Sequence, residues 1–206
     1  MPGVNPTCAA AQNTTNWRPP TEYTAGMSGS DHAWEESRGM GVSYGYNRAE
    51  DLNVYHSGRE LIFILVDTVS RGGNLLLDIG PRGDGAIPVI MEQRLREIGD
   101  WLKINGESIY ATRPWKSTRQ WTAGDIPKVE YNKEYSSAYD VTQLIGKPAA
   151  GKASIEAFFT SKDNSLYAIL PRWFAHNLVI KDVDSAKSVS LLGSAAALST
   201  GQRRGA

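Results

Sequence analysis

The stretch from Ser57 to Ile79 constrains the fold more than any other part of the chain. It begins with Ser57-Gly58-Arg59-Glu60, the spacing of a capping box, in which the serine hydroxyl and the glutamate carboxylate each bind a free backbone amide at a helix start. Apolar residues then recur at helical spacing and form one stripe, made of Leu61, Ile62, Leu65, Val66 and Val69. Gly72-Gly73 ends the helix near residue 70, because glycine reaches the left-handed conformation without steric cost. Residues 74–79 are predicted to form a strand that is buried on both faces, as in a parallel sheet covered by helices.

The neighbouring segments extend this pattern in both directions. The sequence EESRGMGVSYGYN, residues 35–47, is typical of a short strand followed by a loop. Pro88 suits the first turn of a second helix, where its missing amide costs nothing, and that helix is expected to end at Asn105-Gly106. Strand, helix, strand and helix in succession predict an α/β architecture for residues 34–115.

The regions before residue 34 and after residue 115 do not share this α/β pattern. Residues 1–33 are rich in Pro, Gly, Ser, Thr and Asn without an apolar period, so we expect an irregular loop segment. Residues 116–206 are predicted to form an incomplete antiparallel β-sandwich module. Its expected strands are short, rich in branched and aromatic residues, and separated by turns: 152–160, 165–170, 178–180 and 188–192.

Composition excludes several classes of function. The chain has 206 residues with 22 basic and 22 acidic side chains, so its zero net charge gives no electrostatic reason to expect nucleic acid or a membrane surface as partner. The longest apolar run, 61–66, is far shorter than the roughly 20 residues of a membrane span. The single Cys8 forms no internal disulfide. The first residues lack the basic and apolar regions of a signal peptide, so any export signal is expected to lie outside this sequence.

The chain has few candidate catalytic or metal-binding residues. The histidines lack the helical spacing of a metal site, so no metal or cofactor is predicted, and no nucleophile elbow of the G-x-S-x-G type is present. Carboxylates beside aromatic rings remain. Glu22 precedes Tyr23, and Glu35 follows Trp34. A carboxyl group packed against an aromatic ring has a raised pKa, which a general acid requires, whereas an exposed loop carboxylate or a strand-edge hydrogen-bonding residue has no such role. Spacing alone leaves both interpretations open.

Three ordered motifs resemble one known family. They are WEESRGMGVSYGYN, then VDTVSRGGNLLLDIGPRGDGAIP, then LREIGDWLKINGESIYATRPW. Together they resemble the C-terminal half of the α-L-fucosidases of glycoside hydrolase family 29 over about residues 20–115, and residues 116–195 more loosely resemble that family's β-sandwich. The resemblance implies the C-terminal part of a (β/α)8-like barrel followed by an antiparallel β-sandwich, with the active site on the loops at the carboxyl ends of the strands.

The resemblance also implies roles for individual residues. Glu22 matches the acid/base glutamate, with Glu35 as a second candidate. Tyr44 matches an aromatic position that lines the pocket for the C6 methyl group of fucose, and Tyr23 and Trp34 would flank the same cleft. The implied reaction is retaining hydrolysis of α-L-fucosides without a metal, which requires an aspartate nucleophile about 5 Å from the acid/base carboxyl group.

Two departures from the family pattern matter. No Trp in the chain has an Asp two residues later, so the nucleophile motif is missing, and we expect a fragment that is inactive alone. Asp78 stands where family members carry Asn, and a buried carboxyl group there would need a hydrogen-bond or charge partner.

The expected partner is a fucosylated glycan or oligosaccharide, oligomerisation stays open, and the full-length protein is expected to be secreted or periplasmic. The alternative is a non-catalytic carbohydrate-binding or interaction module that uses Trp121, Tyr131 and Trp173.

Overall fold

The computed structural model describes residues 33–127, 140–174, 177–183, 185–199 and 201. In chain order the elements are β1 (Glu35–Gly39), α1 (Gly58–Ser70), β2 (Asn74–Asp78), α2 (Val89–Asn105), β3 (Arg113–Trp121), α3 (Val141–Leu144), β4 (Ile155–Lys162) and β5 (Ser165–Ile169). Short 3-10 turns lie at Leu52–Val54 and Gly106–Ser108. Glu22, Tyr23 and Tyr131, and all of the predicted loop segment except residue 33, fall outside the described residues.

The first half is a parallel strand-helix-strand unit followed by a helix. β1 and β2 pair in parallel, with Glu35 opposite Asn74 and Gly39 opposite Asp78, and α1 connects them. The capping box is present: the Ser57 hydroxyl accepts a hydrogen bond from the Glu60 amide at 3.2 Å, and the Glu60 carboxylate accepts from the Ser57 amide at 2.7 Å. The predicted strands and helices of this region, and its α/β character, are confirmed.

α1 forms the centre of the hydrophobic core. Its residues Leu61 and Val66 are fully buried, and Met91 of α2 is buried beside them. On the other side Phe63 of α1 meets Phe158 of β4, with ring centroids 5.9 Å apart. The helix therefore lies between α2 and the second sheet, and one continuous core joins the two halves of the described chain.

The prediction that β2 is buried on both faces is wrong. Leu75 and Leu77 pack against the core around α1, but Leu76 points to the opposite side and is 46% exposed. Side chains alternate along a strand, so helix α1 covers only one face of β2. We call the side that α1 does not cover, which carries Glu35, Ser37 and Gly39 of β1 opposite Asn74, Leu76 and Asp78 of β2, the inner face.

The second half contains an antiparallel sheet in the order β3-β4-β5. The strands predicted at 152–160 and 165–170 are confirmed as β4 and β5, with shifted bounds. The strands predicted at 178–180 and 188–192 are wrong, because those residues have no regular structure. Gln120 gives the physical reason for the first: its side-chain amide donates to the carbonyl of Val179 at 2.8 Å and accepts from the amide of Lys181 at 3.0 Å. Hydrogen bonds of the Gln120 side chain thus take the place of the backbone hydrogen bonds that would pair two strands.

No helix within the described ranges is long and apolar enough to cross a membrane.

Candidate functional site at the carboxyl ends of β1 and β2

The loop after β1 folds back onto the ends of both parallel strands. A Cβ atom at Gly39 would lie 2.8 Å from the carbonyl oxygen of Ser43, and one at Gly80 would lie 2.1 Å from the amide nitrogen of Tyr46. Both distances are shorter than real contacts, so only glycine at these two positions lets residues 40–46 approach so closely. Carboxyl ends of parallel strands are where α/β proteins display their functional groups, and this loop occupies that place.

Tyr44 is held on the inner face by a hydrogen bond. Its hydroxyl group pairs with the hydroxyl of Ser37, a buried residue of β1 on the inner face opposite Leu76. The half-buried ring therefore reaches back over the strand from the carboxyl end. This position is compatible with the wall of a pocket above the inner face.

The turn that carries Tyr44 is fixed by its own side chains. The Glu50 carboxylate accepts a hydrogen bond from the Ser43 amide at 2.5 Å, and the Asn47 side-chain amide donates to the Ser43 hydroxyl at 3.0 Å. Burial, followed by a hydrogen bond to the Glu50 carboxylate and by its charge, raises the pKa of Tyr55. Neither Ser37 nor Glu50 was among the predicted site residues, because no local pattern marks either residue.

Asp78 ends β2 on the inner face, directly opposite Gly39. Its side chain is half-buried. Asp78 is therefore not a fully buried acid. Its place at the carboxyl end of a parallel strand makes Asp78 part of the candidate site.

Trp34 and Glu35 lie at the other end of β1. Trp34 is 6% exposed, with the Arg71 guanidinium 5.0 Å above its ring and the backbone of Gly73 against its edge. Glu35 is the first residue of β1, opposite Asn74. A strand rises about 3.3 Å per residue, so these residues lie more than about 13 Å from the carboxyl end. Trp34 packs against Arg71 on the opposite face from Tyr44, whereas Glu35 shares the inner face with Ser37, two positions before the residue that the Tyr44 hydroxyl contacts.

A buried charge cluster lies on the opposite face of β1 from Tyr44. Arg71 donates to Glu36 at 2.9 Å and to Asp67 at 2.9 Å, and all three side chains are 2% exposed. Arg119 of β3 reaches the other oxygen of Asp67 at 3.0 Å, and Arg38 reaches Glu36 at 2.8 Å. The cluster joins β1, α1 and β3, so its role is to hold the two sheets together. The i, i+4 spacing of Asp67 and Arg71 is the one sequence feature that could have indicated part of it.

Metal ligands do not gather in the described part of the chain: no three His, Cys, Asp or Glu side chains there are placed to share an ion.

Comparison with known proteins identifies the family. The profile of the α-L-fucosidase family matches residues 5–107. The plasma α-L-fucosidase of Rattus norvegicus is 35% identical over 168 residues, covering 73% of this chain and 37% of that protein. An α-L-fucosidase of Dictyostelium discoideum is 52% identical over 85 residues, covering 41% of this chain and 18% of that protein. A solved α-L-fucosidase structure superposes with a TM-score of 0.50 at 33% identity, covering 69% of this chain and 26% of that one.

The chain thus spans little more than a third of the rat protein and under a fifth of the Dictyostelium protein. Over the half of the chain that the profile matches, the agreement includes β1, the loop with Tyr44, α1, β2 and α2. On this evidence the chain belongs to the α-L-fucosidase family.

Proposed function

We propose that the chain supplies the last strand-helix units of a (β/α)8-like catalytic barrel and part of the β-sandwich that follows, in a retaining α-L-fucosidase acting on fucosylated glycans. The observation that carries the proposal is the loop with Tyr44, packed over the carboxyl ends of β1 and β2. Residues 34–115 would be the barrel part and 116–206 the sandwich part. β3 begins at Arg113, so it would run across this boundary.

Roles in the reaction follow from the resemblance together with the geometry. Glu22 would be the acid/base residue and Tyr23 would flank the sugar. Tyr44 would form the apolar wall against the C6 methyl group, because its ring covers the inner face at the correct end of β1. Trp34 would pack within the barrel part and would not contact the sugar, since it is buried under Arg71. Glu35 is the second candidate for the acid, and its place at the amino end of β1 favours Glu22.

The mechanism needs a second carboxylate. In a retaining glycosidase one carboxyl group attacks the anomeric carbon while the other, about 5 Å away, protonates the leaving oxygen. This sequence contains no Trp-x-Asp motif to supply the attacking group. General acid catalysis alone contributes about 10²–10⁴-fold, and only when the sugar is positioned. We therefore propose that the chain by itself does not turn over α-L-fucosides.

Two assays test this function. The purified chain should not hydrolyse an aryl α-L-fucoside, and turnover that Glu22→Gln abolishes would contradict the inactivity while supporting the role of Glu22. In the second assay, residues 5–107, which the family profile matches, replace the corresponding segment of a full-length α-L-fucosidase. This chimera should be active, and Glu22→Gln should lower its kcat about 10²–10⁴-fold. Glu35→Gln is the matched control and should leave kcat within a few fold. A larger loss with Glu35→Gln would reverse the assignment.

A second candidate function rests on a separate cleft along β3. Trp115, Trp121 and Phe159 line it, with Lys181 and Asp182 at its side, and its volume is about 320 Å³. Ligand pockets begin at about 300 Å³ and combine apolar walls with a few polar groups, and aromatic rings with polar neighbours suit a sugar. This cleft supports the alternative of a non-catalytic carbohydrate-binding module.

Titration of the chain with a fucosylated oligosaccharide, followed by tryptophan fluorescence, decides this alternative. Binding through the cleft should be lost in Asp182→Ala and kept in Trp173→Phe, because Trp173 is 77% exposed and does not line the cleft. Equal binding by both variants, or none by the wild type, would remove the second candidate.

A further inference from the structure

Glu50 is a charged side chain directed inward in the loop that carries Tyr44. Its Oε1 atom accepts the Ser43 amide at 2.5 Å, one residue before Tyr44. Its Oε2 atom is buried and lacks a hydrogen-bond partner of ordinary geometry among the described residues, and the Tyr55 hydroxyl interacts with the same carboxylate. Removing a carboxylate oxygen from water without compensation destabilises the folded state. Burial of Oε2 therefore costs folding free energy, while Oε1 binds the Ser43 amide and stabilises the turn.

The surroundings leave this carboxylate little freedom. A Cβ atom at Gly41 would lie 3.1 Å from Oε2 and 3.4 Å from the ring of Tyr55. The amide of His56 donates to the carbonyl of Met40 at 2.9 Å and closes the base of the loop. Glu50 is thus confined between the two ends of the loop, with Ser43 as its hydrogen-bonded partner.

The bond to Ser43 determines where Tyr44 lies. The Ser43 carbonyl and the Tyr44 Cα are 2.8 and 3.2 Å from the place where a Cβ atom of Gly39 would stand, so this part of the turn rests directly on the end of β1. From there the Tyr44 hydroxyl reaches Ser37. A turn released at Ser43 would move away from the strand and take the ring with it.

We propose that Glu50 is a positioning residue that fixes Ser43 and thereby sets Tyr44 as the wall against the apolar edge of a 6-deoxy sugar. The sugar part of this statement rests on the proposed function. Glu50 acts through Tyr44 and does not touch the substrate.

Amide exchange and Tyr44 ring signals, measured by NMR on the full chain without sugar, test the positioning role. Glu50→Ala should speed exchange of the Ser43 amide about tenfold or more, because a hydrogen bond to a charged group is lost. The Tyr44 ring signals should change with it. Glu50→Gln keeps an acceptor oxygen at the same place and should restore both readouts. Asp51→Ala is the matched control: Asp51 accepts the Asn53 amide at 2.7 Å in the next turn, and its loss should leave Ser43 unaffected.

Unchanged Ser43 exchange and Tyr44 signals in Glu50→Ala would overturn the proposal, as would an equal effect of Asp51→Ala. Protection of the α1 amides reports whether each variant is folded. Should Glu50→Ala fail to fold, Glu50→Asp replaces it, because it keeps the charge but lacks the length to reach Ser43. L-fucose, added as a probe, separates the two claims. If it leaves the Tyr44 ring signals unshifted in the chimera of the activity assay, where the rest of the sugar site is present, while the exchange results hold, the proposed function fails and the positioning role stands.

Discussion

Gly73 illustrates how one residue without a side chain allows a large one to be buried. A Cβ atom there would lie 2.5 Å from two atoms of the Trp34 ring, which lies between this backbone and the Arg71 guanidinium. Resemblance to the family implied that Trp34 flanks a sugar cleft. Its ring packs against the Arg71 guanidinium and the Gly73 backbone, and Trp34 is 6% exposed.

Gly73→Ala should therefore destabilise the fold. The added methyl group has no space beside Trp34, and overpacking of this kind costs about 1–3 kcal/mol in the free energy of unfolding. Urea denaturation followed by circular dichroism measures the change. Gly99→Ala is the control, because Gly99 lies within α2 and nothing stands within 4 Å of its added Cβ. That substitution should stabilise by about 0.5–1 kcal/mol, and equal effects at the two glycines would contradict the packing argument.

Individual elements follow from local rules. α1 starts at the serine and glutamate of its capping box and ends before Gly72, whose φ of 91° lies in the left-handed region. Every interaction that defines these ends joins residues a few positions apart. This is why sequence analysis located α1, β2 and α2, whereas the exposure of one face of β2 depends on parts of the chain that are distant in sequence.

The capping box makes part of the stability of α1 depend on pH. Burial raises the pKa of Glu60, but hydrogen bonds from the amide and hydroxyl of Ser57, together with the nearby His56, lower it, so the net pKa lies below the usual value of 4.5. A carboxyl group with a lowered pKa in the folded state stabilises the protein fully above its unfolded pKa and loses that contribution as pH falls through the folded pKa. The stability gap between wild type and Glu60→Gln should therefore be greatest above pH 4.5 and shrink below it.

Thermal unfolding at a series of pH values measures this gap. Ser57→Ala, which removes the hydroxyl that caps the helix, should lower stability by about 1 kcal/mol at neutral pH. A gap between wild type and Glu60→Gln that stays constant from neutral to acid pH would refute the capping account.

On the scale of the whole molecule, buried charges join the parallel unit to the antiparallel sheet. Glu36 and Arg71 are 35 positions apart in the chain, and Arg119 brings β3 to the same cluster through Asp67. The core between α1 and β4 accompanies these contacts. No periodicity relates residues so far apart, so only the folded chain reveals their pairing.

Arg71→Met should be the most damaging of the substitutions proposed. It leaves the Glu36 carboxylate without its main buried cation and weakens the hold on Asp67, and breaking a buried ion pair costs about 3–5 kcal/mol. Arg82→Met is the matched control, since Arg82 and Asp84 form an exposed pair whose attraction is screened by water. Chemical denaturation of both variants measures the difference. A cost for Arg71→Met as small as that for Arg82→Met would show that the cluster does not hold the two sheets together.

The order and kind of the main elements and the ends of α1 could be predicted from the chain alone, because they depend on hydrogen bonds and apolar spacing within a few residues. The resemblance to the α-L-fucosidases could also be seen there, since three short motifs carry it. Which way the side chains face became visible only in the folded chain. The tertiary structure placed Trp34 under Arg71, set Tyr44 against Ser37, and left Leu76 exposed on the inner face. Those outcomes depend on which distant segments pack together, since a side chain on a strand is buried only where another element covers that face.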